Sequence, residues 1–178
     1  MPSAHAQRSR AALLLFGGPA AIVALLASGL VFQLQAAQAR GDYPGFPTAL
    51  QGRPSQVLLA VGSALAVLGL VLSVGCLLLC LLHGYASAQV CGGHSEPDRI
   101  DWFLLDSRVI RHIAIGLFSC GLSIYLAAFA IYTLLLFRYE TGITNACILS
   151  SAIIVLVMMV LYAIVRAPRV LRRHQFEL

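Results

Sequence analysis

The chain has 178 residues, 60% hydrophobic and 11% charged, with a formal net charge of +5. Soluble domains are about half apolar and about a quarter charged, so this composition excludes an ordinary soluble globular protein. The positive charge is all arginine, since the chain has no lysine, and it flanks apolar stretches, which is the pattern of membrane orientation and gives no reason to expect a nucleic-acid partner.

A helix needs about 20 mostly apolar residues to cross the hydrocarbon core of a bilayer. Windows 11–34, 57–82, 113–137 and 143–165 meet that requirement and leave no room for a separate soluble domain. The expected fold is all-α: one integral membrane domain over 1–178, a four-helix bundle with a short interfacial amphipathic helix at 100–112 and a short basic tail at 166–178. Arg8, Arg10, Arg99, Arg108, Arg111, Arg166, Arg169, Arg172 and Arg173 fall on one side of this plan, and Arg40, Arg53 and Arg138 on the other. Arginine is retained on the cytoplasmic side, so both termini and the middle loop are expected there. None of the five cysteines lies in the two opposite loops, so no disulfide is expected in those loops; Asn145 is followed by Ala146 and Cys147, which is not a glycosylation sequon.

In chain order, residues 1–10 form a short basic lead. Gly17-Gly18-Pro19 is expected to loosen or kink the first span. The alternative is a signal peptide cleaved after Ala37-Gln38-Ala39, but the apolar run exceeds the usual 7–15 residues, which favours an uncleaved anchor. Residues 41–47 (Gly-Asp-Tyr-Pro-Gly-Phe-Pro) read as a connector with aromatics at the interface. In the second span Gly62, Ala66, Gly69 and Ser73 recur at four, three and four residues, a stripe on one helical face. A similar stripe runs through Gly116, Ser119/Cys120, Ser123 and Ala127 of the third span. The two are expected to pack together, so leucine at Gly62, Gly69 or Gly116 should damage folding.

The segment from His83 to His112 carries the most chemistry. Cys80-Leu-Leu-His83 and Cys91-Gly-Gly-His94 supply ligand types that suit tetrahedral zinc, but not at a familiar spacing, and Cys80 belongs to an apolar span. No metal or cofactor is expected, and Cys80 and Cys91 are instead candidates for S-acylation near the interface. Wound as a helix, residues 101–113 place Trp102, Phe103, Leu105, Val109, Ile110 and Ile113 on one arc, with Asp101, Arg108, Arg111 and His112 on the other. That pattern suits a helix lying on the membrane surface with Trp102 at headgroup level. Asp106 falls inside the apolar arc and requires a partner there. Trp102, Phe103, Asp106, Arg108 and Arg111 therefore form a candidate interaction surface.

The run from Asp101 to Leu126 (DWFLLDSRVIRHIAIGLFSCGLSIYL) resembles the vertebrate family called transmembrane protein 221, also known as Jiraiya. So does Tyr132 to Gly142 (YTLLLFRYETG) and, more loosely, Phe32-Gln-Leu-Gln-Ala36. The resemblance implies a non-enzymatic four-span protein that dampens bone morphogenetic protein signalling by affecting trafficking of the type II receptor. The tail here, 166–178, is short beside the longer ones that family members can carry.

The remaining chemistry is sparse. No Asp, Glu, Arg or Lys lies inside the four windows, which argues against an ion-coupled transporter. A pore lined by Ser119, Ser123, Tyr125, Tyr132 and Thr133 stays open as an alternative, beside a structural scaffold. Tyr125, Phe129 and Tyr132 share one face of the third span, as interhelical packing requires. There is no Ser/His/Asp grouping, paired carboxylate, phosphate-binding glycine loop or His-Glu-x-x-His, so the chain is not expected to be an enzyme. Arg166, Arg169, Arg172 and Arg173 are candidate contacts for anionic lipid headgroups. Phe176-Glu177-Leu178 has the form that some PDZ grooves accept. A claudin is excluded by a first loop without tryptophan or paired cysteines, and a tetraspanin by the brevity of the second.

Overall fold

A computed structural model describes residues 4–40, 53–92 and 97–176, with side chains described at 15, 17–40, 53–85, 110–138 and 140–165. The described chain is all helical: α1 Ala4–Arg40, α2 Arg53–Gly92, α3 Pro97–Leu136 and α4 Tyr139–Phe176. In hydrocarbon a backbone amide has no water to bond, so a single apolar segment satisfies itself as a helix. Candidate membrane spans run Gly17–Arg40, Arg53–Tyr85, Ile110–Leu136 and Glu140–Val165. The helices themselves hold 37, 40, 40 and 38 residues, roughly 55–60 Å each, about twice the ~30 Å of a hydrocarbon core.

Three expectations change. Residues 100–112 are not a separate helix: they are the continuous N-terminal part of α3. Pro19 lies inside α1, which runs on through it, because the loss of one amide donor, to the Leu15 carbonyl, does not interrupt a long apolar segment. The second loop shrinks to Phe137 and Arg138; the Phe137 amide still donates to Thr133 (3.0 Å) and Gly142 already donates to Arg138 (2.9 Å). The 41–47 connector lies outside the described residues. Ala37, part of the alternative cleavage site, is buried in the core among α2 and α3 residues.

The core is a seam with a seven-residue period. On α2 the buried positions are Ser55, Leu59, Gly62, Ala66, Gly69, Ser73, Cys76 and Cys80, alternating four and three residues apart. On α1 they are Ala20, Val23, Ala27, Leu30, Leu34 and Ala37, alternating three and four, and on α3 Ala114, Gly121, Ala128 and Leu135 recur seven apart, with Ala130 and Thr133 also buried. A repeat of this period keeps one face on its neighbours when helices coil left-handedly. The neighbours are antiparallel. Gly62 lies against Ile131 and Leu34, Gly69 against Gly121 and Tyr125, Gly121 against Ser73, and Cys76 against Ala114. From Gly62 to Cys76 this α2–α3 contact follows about 21 Å of helix.

Within the four-helix arrangement α4 is peripheral. Among the described residues α4 touches α3 alone, reaching neither α1 nor α2. No residue from 143 to 165 is buried, and the half-buried ones, Asn145, Ala146, Leu149, Ile153, Leu156 and Val160, make a single stripe on α3. The physical reason is residue size. Small residues that let helices nest lie on the α2 and α3 seam, whereas most of the α4 stripe consists of leucine, isoleucine and valine. The molecule is a three-helix unit with a fourth helix leaning on one side.

Candidate interaction surfaces

The seam closes its own polar groups. Ser73 Oγ donates to the Gly69 carbonyl (2.8 Å) and Thr133 Oγ1 to that of Ala130 (2.8 Å), each within its own helix. Cys76 Sγ donates across to the Ala114 carbonyl at 3.4 Å. Such back-bonding leaves hydroxyls satisfied while helices approach closely. Gly62, Ala66, Gly69 and Ser73 are all buried here. Gly116 is not part of the close approach: a Cβ there would meet nothing within 4 Å, because the face of α3 turned to α2 carries Gly121 instead. Ser123 is half-buried and donates to Ser119 at 2.8 Å on its own helix. The signal for the true α3 seam was the seven-residue step Ala114–Gly121–Ala128, which the shorter Gly116 stripe obscured.

Cys80 is 8% exposed and clusters with Ala20, Cys76 and Ala114. This burial counts against Cys80 as an acylation site. Cys91 lies in the last turn of α2, with its side chain outside the described set. Among the described residues no three His, Cys, Asp or Glu side chains gather as metal ligands, and His94 lies outside them.

Tyr125 and Phe129 stack at 6.1 Å between ring centroids, and Phe129 and Tyr132 at 6.2 Å, packed against the larger core cluster of Leu30, Leu34, Leu59 and Leu135. Trp102, Phe103, Asp106 and Arg108 lie on the helical lead of α3, and their side chains are outside the described set; Arg111 is exposed. Arg166, Arg169, Arg172 and Arg173 ride on α4, which continues as helix to Phe176.

These placements put nine arginines on helix ends at the end of the molecule that holds both termini, against Arg40, Arg53 and Arg138 at the other. No solved structure matches the chain. A family model described as Jiraiya matches residues 11–178, which takes in all four apolar helices, so the chain is a membrane protein that belongs to the Jiraiya family.

Proposed function

We propose that this chain is a non-catalytic regulator that dampens bone morphogenetic protein signalling by acting on trafficking of the type II receptor. The observation that carries the reading is the family match over residues 11–178. It is supported by four apolar helices without ionisable residues at their centres, and by a family that is not a known enzyme family. In this reading the arginine-rich end, with both termini, faces the cytoplasm. The lead of α3, with Trp102, Phe103, Asp106, Arg108 and Arg111, meets the partner there. Lipid-facing α4, with a single neighbour, offers a helix surface in the bilayer.

The test is the surface and total amount of the type II receptor, with and without the chain expressed. A selective fall at the surface is expected, reduced by Asp106→Ala or by Trp102→Ala with Phe103→Ala at normal expression. No change, with the chain intact and inserted, would leave the scaffold reading, which the closely packed three-helix seam favours. The pore reading loses support because Ser123 and Thr133 spend their hydroxyl protons on their own helix. Ion flux through liposomes holding the purified protein would restore it.

A further inference from the structure

The first helix carries two faces of one period. Its buried face, from Ala20 to Ala37, packs on α2 and α3, and among the described residues α1 does not touch α4. The opposite face runs through Ile22, Leu25, Gly29, Phe32, Ala36 and Ala39, alternating three and four residues apart on helix that lies wholly beyond Pro19. Leu25, Phe32 and Ile22 are 72, 70 and 60% exposed there. A Cβ on Gly29 would meet nothing within 4 Å, so no contact within the chain calls for a glycine, which weakens a helix relative to alanine.

Any helix has a face of this period; the polar residues beside it single this one out. Gln33 and Gln35 flank Phe32 and Ala36, and both are exposed. Gly62 on α2 lies against Leu34 and Ile131 alike, so these three share a level inside the apolar spans. Gln33 and Gln35 therefore lie about 10 Å and about 7 Å inward of Arg40 along the helix. A side-chain amide turned to hydrocarbon is costly, and in bilayers it is satisfied by a polar group on another helix.

Copies of one chain insert with one arginine bias, so two of them meet in parallel, with equal residues at equal depth. From this geometry we propose that the outer face of α1 is a homodimer interface, covered by α1 of a second copy. In a left-handed parallel pair Ile22, Gly29 and Ala36 take the a positions, and Leu25, Phe32 and Ala39 the d positions. Each Phe32 ring then packs between the small Gly29 and Ala36 of the facing helix. The flanking g and e positions meet across the pair, which sets Ser28 against Gln33 of the second copy and Gln35 against Arg40 of the second copy. Both pairings are complementary. Ser28 Oγ spends its proton on the Leu25 carbonyl (2.8 Å), so its lone pairs accept from the Gln33 amide N–H. The Gln35 side-chain carbonyl accepts from the Arg40 guanidinium. Lipid chains offer none of these groups.

The experiment co-expresses full chains carrying two different epitope tags and oxidises the cell membranes with copper phenanthroline. A Cys91→Ala, Cys120→Ala and Cys147→Ala background leaves only the buried Cys76 and Cys80. In it, Gly29→Cys and Ala36→Cys should give linked dimers holding both tags, roughly tenfold more than Val71→Cys or Met158→Cys on the exposed faces of α2 and α4. Energy transfer between labelled copies in phosphatidylcholine vesicles then gives the dissociation constant. Gln33→Leu with Gln35→Leu should raise it about tenfold, as loss of interhelical hydrogen bonds does, although leucine suits lipid better than glutamine. Gly29→Leu should weaken the dimer similarly, and both variants should keep the native helix content. Monomers at every lipid-to-protein ratio would overturn the proposal and leave the face to lipid. So would linkage as strong through Met158→Cys, or Gly29→Cys adducts of a mass that no second copy accounts for. An unchanged dissociation constant in the double glutamine variant would overturn it too.

Discussion

A methyl group on Gly69 would stand 3.3 Å from the Tyr125 amide nitrogen and 3.4 Å from the Gly121 carbonyl oxygen. On Gly121 it would meet Ser73 Oγ at 3.2 Å and Leu72 Cβ at 3.3 Å. Backbone neighbours cannot swing aside, so Gly69→Ala should cost about 1–3 kcal/mol, as overpacking does, with Gly121→Ala close behind. Gly62→Ala meets the γ2 methyl of Ile131 at 3.0 Å, on a β-branched carbon that is stiff at χ1, and should cost a similar amount. Gly116→Ala, with nothing within 4 Å, should stay within about 0.5 kcal/mol of the native chain. Thermal midpoints of the purified protein in detergent rank the four, and a large loss at Gly116 would refute the seam. Cys80 gives a second test: labelling cells with an alkyne fatty acid should give a signal unchanged by Cys80→Ala, since that thiol is buried. At this scale the sequence was half legible. Gly62, Ala66, Gly69 and Ser73 stand out because size alone marks them. On α3 two small-residue stripes compete, through Gly116 and through Gly121. Which one turns toward α2 depends on the pairing of two helices, which neither helix encodes alone.

Among elements, α4 is the one whose apolar length was plain but whose attachment was not. Hydropathy marks a span without regard to neighbours, so 143–165 reads the same whether a helix is central or peripheral. A chain ending after Arg138 should keep α1, α2 and α3 assembled, because no residue from 143 to 165 is buried against them. Circular dichroism melts of this truncation should retain a cooperative transition, and its disappearance would mean that α4 supports the seam. Gly142→Val should likewise leave the seam intact. It forces α4 from the corner where the Thr133 carbonyl lies 3.2 Å from a Cβ, loosening α3–α4 cross-links while sparing those between α2 and α3. The continuity of α3 through residues 97–136 was also hidden. The change from amphipathic lead to uniform apolar span is abrupt in composition, yet nothing in it breaks a helix, neither proline nor glycine pair.

For the molecule as a whole, length and arginine placement agree. Each helix outruns the ~30 Å core, and four antiparallel helices bring the start of α1 and the end of α4 to one end. Protease added to sealed vesicles from either side should therefore reach tags at both termini together, from the cytoplasmic side only; tags on opposite sides would refute the antiparallel plan. The arginine count is the sequence signal for the proposed orientation, whereas the helical projection was not legible, since polar residues near a bilayer read equally well as loop. The two-residue corner between α3 and α4 has a consequence for how the chain is made. With so short a link, neither helix can enter the bilayer fully while the other waits outside, so the pair must enter as one unit. The corner that leads it across carries Arg138 and Glu140, one charge of each sign. With the arginine-rich end cytoplasmic, as proposed, synthesis needs to drag only a tip of no net charge through the hydrocarbon, while the heavily charged ends of the same two helices do not have to cross it.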